Sequence, residues 1–346
     1  MMPTSTKNKS KILPKKTWMD TETHFQKALS DPWYKAICII QDEINHSTFK
    51  FFKQSNVRSV CLPITTGSVT SPMGLGSDSL PVKIELEGVE TYLSDSMQFH
   101  LEYALRIFNE GVHYIMPSFR GEKADPRHLC QFYHSEAEIQ GNLQAVMKLV
   151  NNYIHHLCTD LLQNIPDTIE SLSGDLGHIK KLINKNGNYP TITMEDAIKM
   201  IGDNDQFVKY HPEGFRTITH KGEQELIKMH DGIVWLTHHD YLSVPFYQGS
   251  DETGKYALNG DLLFGIGEVV GCGERHTTVQ ELKEALSFHN LEDKDYKWYL
   301  DMKELHPLNS AGFGMGIERF ILWLINHDEI RDCQLIPRFN GELINP

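Results

Sequence analysis

Apolar positions along the chain fall into helical and alternating rhythms. Trp33, Ile37, Ile40, Ile44 and Phe51 recur at helical spacing and predict an amphipathic helix over 31–55. Residues 57–62 read as a short strand stopped by Pro63, and 65–79, rich in Gly, Ser, Thr and Pro, as a mobile loop. A hairpin is expected over 82–86 and 90–93 around Glu87-Gly88, then a helix over 97–108. Strands are expected at 113–119 and 131–139, joined by a polar loop, followed by a helix over 141–162.

The pattern weakens from 166 to 254, where short helices at 194–201 and 222–229 and a strand at 232–237 suggest an insertion on the main domain. Beyond it, 261–271 reads as a strand, 279–289 as a helix and 314–325 as strand into helix. Antiparallel-looking strands with helices outside them indicate an α+β fold rather than a doubly wound sheet. There is no GxxxxGK[ST] loop and no GxGxxG after a strand, so any nucleotide is held by another device.

Composition narrows this picture. The 346 residues carry 33 Lys plus Arg against 46 Asp plus Glu, a net charge of −13, which speaks against a large tRNA footprint. The six cysteines show no CxxC spacing, which fits a reducing, cytoplasmic location rather than a zinc site or disulfide framework. Lys7, Lys9, Lys11, Lys15 and Lys16, without an apolar h-region, make residues 1–30 read as a disordered basic tail. No apolar run approaches the roughly 20 residues of a membrane span.

Three separated segments place charge in settings that look buried. They are Phe119-Arg120-Gly121-Glu122 with Arg127, His128, Gln131 and Phe132; Asp261, Glu268 and Arg275; and Gly312-Phe313-Gly314-Met315-Gly316-Ile317-Glu318-Arg319. In order and spacing they resemble motifs 2 and 3 of class II aminoacyl-tRNA synthetases of the aspartyl/asparaginyl subgroup. The 31–55 helix, the strand after it and Pro63 resemble motif 1.

The resemblance implies one catalytic domain over 31–346, a six- or seven-stranded antiparallel sheet flanked by helices. It also implies ATP and Mg²⁺ as cofactors and a homodimer through motif 1. Arg120 would bridge the α-phosphate and the reacting carboxylate, work that suits a guanidinium fork. Glu122 would accept from the adenine amino group, and Phe132 would stack under the ring with Arg319 over its other face. Arg127 and His128 would hold the outer phosphates, and Asp261 and Glu268 would carry Mg²⁺. Arg120 and Arg319 are thus the implied catalytic pair.

For the amino acid, the resemblance implies Arg275 at its side chain, with Ser96, Gln98, Glu102 and Gly314 around it. Leu101-Glu102 follows the asparaginyl rather than the aspartyl pattern. Pro72–Asp78 replaces an acidic Glu-Gly loop, leaving Asp78 for the α-amino group, and Cys272-Gly273-Glu274-Arg275-His276 stands for Gly-Ser-Gln-Arg-Glu. The family's anticodon-binding domain is expected to be absent. The leading expectation is tRNA-independent activation of aspartate, or an Asp/Asn-like acid, followed by amide formation with ammonia or a small amine, as in archaeal-type asparagine synthetases. Transfer to tRNA or a carrier protein, and a non-catalytic sensor, stay open.

Overall fold

In a computed structural model that describes residues 11–70 and 79–345, two long helices carry the back of the molecule. The first, Pro32–Gln54, starts where the Asp31 side chain accepts from the Trp33 amide and Pro32 occupies the first turn. The second, Leu143–Asn164, is capped by Asn142, which accepts from the Ala145 amide. Their apolar faces pack together and onto one side of a large sheet, around Ile37, Ile44, Phe52, Val146, Val150 and Tyr153.

The sheet strands, numbered in chain order, are β1 (Arg58–Ser59), β2 (Val112–Phe119), β3 (Gln131–Gln140), β4 (Thr191–Thr193), β5 (Ile233–Thr237), β6 (Asn259–Phe264), β7 (Gly267–Glu274) and β8 (Ser310–Gly316). Their spatial order is β1-β2-β3-β8-β7-β6-β5-β4. The central strands are antiparallel, but β1 lies parallel to β2 and β4 parallel to β5. The sheet is therefore mixed and eight-stranded, where six or seven antiparallel strands were expected. The additions are two very short edge strands with little periodicity to announce them.

Three further expectations change. Residues 261–271 are not one strand: Gly265, at φ 62, turns β6 back onto β7, a left-handed conformation that suits a residue without Cβ. The 166–254 segment supplies β4 and β5 to the main sheet, so it is built into the sheet rather than set upon it. Residues 11–30 are not a loose tail. Trp18 donates from Nε1 to Asp332 at 2.7 Å, and His24 Nε2 donates to the Leu335 carbonyl at 2.7 Å. Residues 1–10 and the 71–78 part of the expected loop, Asp78 included, lie outside the described residues.

A three-stranded sheet (Thr65–Thr66, Val82–Leu86, Val89–Leu93) and the helix Gln98–Phe108 lie beside the front of the main sheet. Among the described residues no helix is long and apolar enough to cross a membrane.

Candidate functional site

Side chains alternate across a pleated sheet, so one residue parity decides what faces the front. On β8 the back-facing set is Ala311, Phe313 and Met315, all in the core, which leaves Gly312, Gly314 and Gly316 in front. On β3 the front set is Phe132, His134, Glu136 and Glu138. One row across the strands runs Asp261, Gly271, Gly314, Glu136. Carboxylates stand at its two ends and the middle is bare backbone.

Two cavities open on this floor. The first, of about 370 Å³, is lined by Arg120, Glu122, Arg127, His128, Phe132 and Arg319 among others. Arg120 lies over the Phe132 ring, 5.5 Å from its centroid. Arg319 is held from behind, donating from Nη1 to the Glu268 carbonyl at 2.8 Å. Asp125 shapes the loop by accepting from the Arg127 and His128 amides at 2.6 and 2.9 Å. Among the described residues, Arg120 Nε, Glu122 Oε2 and Arg127 Nε are buried without a hydrogen-bond partner. Such orphaned groups cost free energy unless a ligand meets them. Two guanidinium donors and a carboxylate acceptor beside an aromatic ring suit a purine nucleotide with its phosphates.

The second cavity, of about 310 Å³, is lined by Ser96, Gln98, Asp261, Arg275 and Tyr247 among others. Arg275 makes a two-pronged pair with Glu138, Nε to Oε1 at 3.2 Å and Nη2 to Oε2 at 3.0 Å, over the face of Tyr247. Ser96 donates to Glu136 at 2.7 Å and accepts from the Gln98 amide. The two cavities share Arg120, His134, Glu268 and Gly314 in their walls.

Asp261 and Glu268 are brought together by the hairpin. A Cβ on Gly271 would sit 2.8 Å from Glu268 Oε1 and 3.6 Å from Asp261 Oδ1, so only bare glycine leaves this space open. Burial pushes the Asp261 carboxyl well above its usual range, and Glu268 and Glu223 push it further. Glu223 is itself raised to about 7 by burial and then by Glu268. Crowded carboxylates of this kind gain from a hard cation, and two oxygen donors beside a phosphate pocket fit Mg²⁺. Among the described residues no group of three His, Cys, Asp or Glu gathers in metal-binding geometry, so most of such an ion's ligands would be phosphate and water.

Glu102 needs correction. It does not line either cavity but lies fully buried behind the second, with Lys303 Nζ at 2.6 Å, Tyr299 OH at 2.6 Å and Gln98 Nε2 at 3.1 Å. Its oxygens are occupied by protein donors, so it acts on a substrate only through Gln98 and its neighbours. Sequence reasoning missed His134, Glu136, Glu138 and Lys303. The first three continue the front-facing alternation from Phe132, a signal that was legible. Lys303 left none.

The chain belongs to the tRNA synthetases class II (D, K and N), whose family model matches residues 20–340. It is the class II catalytic core of that group, similar to asparaginyl and aspartyl members. Asparagine–tRNA ligase of Thermoplasma acidophilum is 26% identical over 310 residues, 88% of this chain and 69% of that protein. Among solved structures, asparaginyl-tRNA synthetase from Pyrococcus horikoshii complexed with asparaginyl-adenylate superposes with a TM-score of 0.84 at 24% identity, over 96% of this chain and 76% of that one. A putative aspartyl-tRNA synthetase from Leishmania major Friedlin gives 0.77 at 17% identity, over 94% and 70% of the two chains.

Proposed function

We propose that this chain uses ATP to activate an amino acid of the aspartate/asparagine type as an acyl-adenylate, then joins the acyl group to ammonia or a small amine without tRNA. The observation that carries the adenylation is the shared wall of the two cavities. A nucleotide in one and an amino acid in the other would meet at Arg120, which binds oxygens in pairs and stays charged. There it would hold the carboxylate against the α-phosphate and stabilise the charge that builds as they join. Phe132, Arg127 and Arg319 would fix the ring and the outer phosphates. Bound at Asp261 and Glu268, Mg²⁺ would supply neutralisation of phosphate charge.

Arg275 offers hydrogen bonds more than a free charge, because Glu138 already neutralises it. That favours asparagine over aspartate as the acid. Aspartate with ammonia would give asparagine, whereas asparagine with ammonia would give its α-amide. The surplus of acidic over basic residues supports a small acceptor. A second reading, transfer to tRNA, draws on the similarity to an asparagine–tRNA ligase. A two-fold contact through the Pro32–Gln54 helix and β1 belongs to the same proposal. Light scattering tests it, and a monomeric mass at micromolar concentration counts against it.

ATP–pyrophosphate exchange with aspartate, asparagine and related acids tests adenylation, and mass analysis with ammonia, methylamine or tRNA added identifies the acceptor. Exchange with product only on tRNA would select the second reading. Absence of exchange with every acid would sink both.

A further inference from the structure

The proposed amide-forming step needs a proton acceptor, and one imidazole stands where the two cavities meet. His134 lines both of them. Its Nδ1 is 2.9 Å from Glu136 Oε1 and 2.9 Å from Ser118 Oγ. Burial is the largest single influence on Glu136 and opposes its charge, but His134, Tyr114 and Ser96 together hold the carboxyl below its usual range. An ionised carboxylate only accepts, so Nδ1 carries the hydrogen in the neutral ring and Nε2 presents a lone pair. Among the described residues both polar contacts of this ring fall on Nδ1, so Nε2 has no protein partner, and the residue lines both cavities. The Phe132 ring, 4.8 Å away edge-on, fixes the imidazole from the nucleotide side.

We propose that His134 is the general base of acyl transfer to an amine, with Glu136 as its positioning residue. The inference rests on the amide-forming reading above. The amine nitrogen forms a bond to the acyl carbon, and the bond from that carbon to the phosphate oxygen breaks, its electron pair leaving with AMP. The surplus N–H proton passes to His134 Nε2 and from there to solvent. Glu136 then faces an imidazolium, an ion pair that stabilises the charge formed during transfer. The other charged groups around the ring are Arg120 and Glu268 across the cavity and Glu318 from the helix after β8. Arg120 offsets the carboxylates, and the leaving phosphate, itself an anion, favours the imidazolium, so imidazolium formation is tied to the arrival of product charge.

The test separates the two half-reactions in the full-length chain. Exchange of pyrophosphate reports adenylation, and single-turnover amide formation from preformed adenylate with ammonia or methylamine reports transfer. In His134→Gln, transfer should fall on the order of a hundredfold, the lower range for a lost general base, and exchange by far less. Retained exchange shows that the variant is folded. The acidic limb of the transfer pH profile should vanish in His134→Gln. In Glu136→Gln it should move to lower pH, because the imidazolium loses its carboxylate partner. Parallel loss of exchange and transfer, or an unchanged acidic limb in His134→Gln, overturns the assignment. So does a wild-type adenylate that reacts with tRNA and no amine. No exchange in the wild type removes the functional reading itself, an outcome distinct from these.

Discussion

The Lys303 ammonium lies 2.6 Å from a Glu102 carboxylate oxygen, and neither side chain reaches solvent. Lys303 also donates to the His276 carbonyl at 2.7 Å, so this one amine ties the helix Gln98–Phe108 to the residue following Arg275. Replacing it with Met leaves a buried carboxylate without its counter-ion. The expected loss of unfolding free energy for Lys303→Met is about 3–5 kcal/mol, measured by urea titration. Adding Glu102→Gln should recover part of it; a double variant no more stable than the single would refute the pairing as the cause.

Arg275 and Glu138 hold each other by two parallel hydrogen bonds, which a single ammonium cannot reproduce. In Arg275→Lys the KM for the amino acid in pyrophosphate exchange should rise on the order of tenfold, about 1.4 kcal/mol. The KM for ATP should move much less. Equal rises in both would place Arg275 outside the amino-acid cavity's work.

Arg120 and Arg319 are expected to act on the transition state more than on binding. Arg120→Lys and Arg319→Lys should each lower the exchange rate by roughly a hundred- to a thousandfold. The readout is kcat at saturating ATP and amino acid. A variant losing only ATP affinity would assign that arginine to binding alone.

Acid should destabilise the fold through three buried histidines. Burial pushes His113, His276 and His289 down to about 4 from 6.5, with Lys303 adding at His276 and His276 adding at His289. The unfolded chain takes up protons near 6.5 while the folded one resists to about 4. Their stabilising effect is therefore full above 6.5 and is lost as pH falls toward 4, by about 1.4 kcal/mol per pH unit for each histidine. His113 stacks on Phe52 with ring centroids 4.2 Å apart, so His113→Phe should keep the packing and flatten the slope. Chemical denaturation at pH 7.0, 6.0 and 5.0 measures it; an unchanged slope would contradict it.

Much of the first cavity's lining was legible because its residues come in local runs. Arg120 to Phe132 is one loop between two strands, and Gly312 to Arg319 is one strand entering a helix. The groups behind the second cavity were less so. Glu102, Tyr299 and Lys303 meet across about two hundred positions, and no periodicity links residues so far apart. Glu102 was noticed for its position beside Leu101, yet its burial came from elements read separately. The turn at Gly265 was hidden by an apolar run that one strand would also explain. The lysines before Asp31 suggested a tail, while Trp18 and His24, which anchor that segment, are single residues without a pattern.

Trp18 and Asp332 are hydrogen-bonded across 314 positions, and the Trp33 indole donates to the carbonyl of the same Asp332. During translation this clasp stays open until residues 332–335 have left the ribosome. Until then, two tryptophans that are buried in the finished fold lack the partner of their indole N–H groups. The same stretch braces the first cavity: Gln334 donates to Glu318 and to the Gln131 carbonyl, and Asn340 to the Gly121 carbonyl. The floor of that cavity is thus unbraced until this stretch has joined the fold.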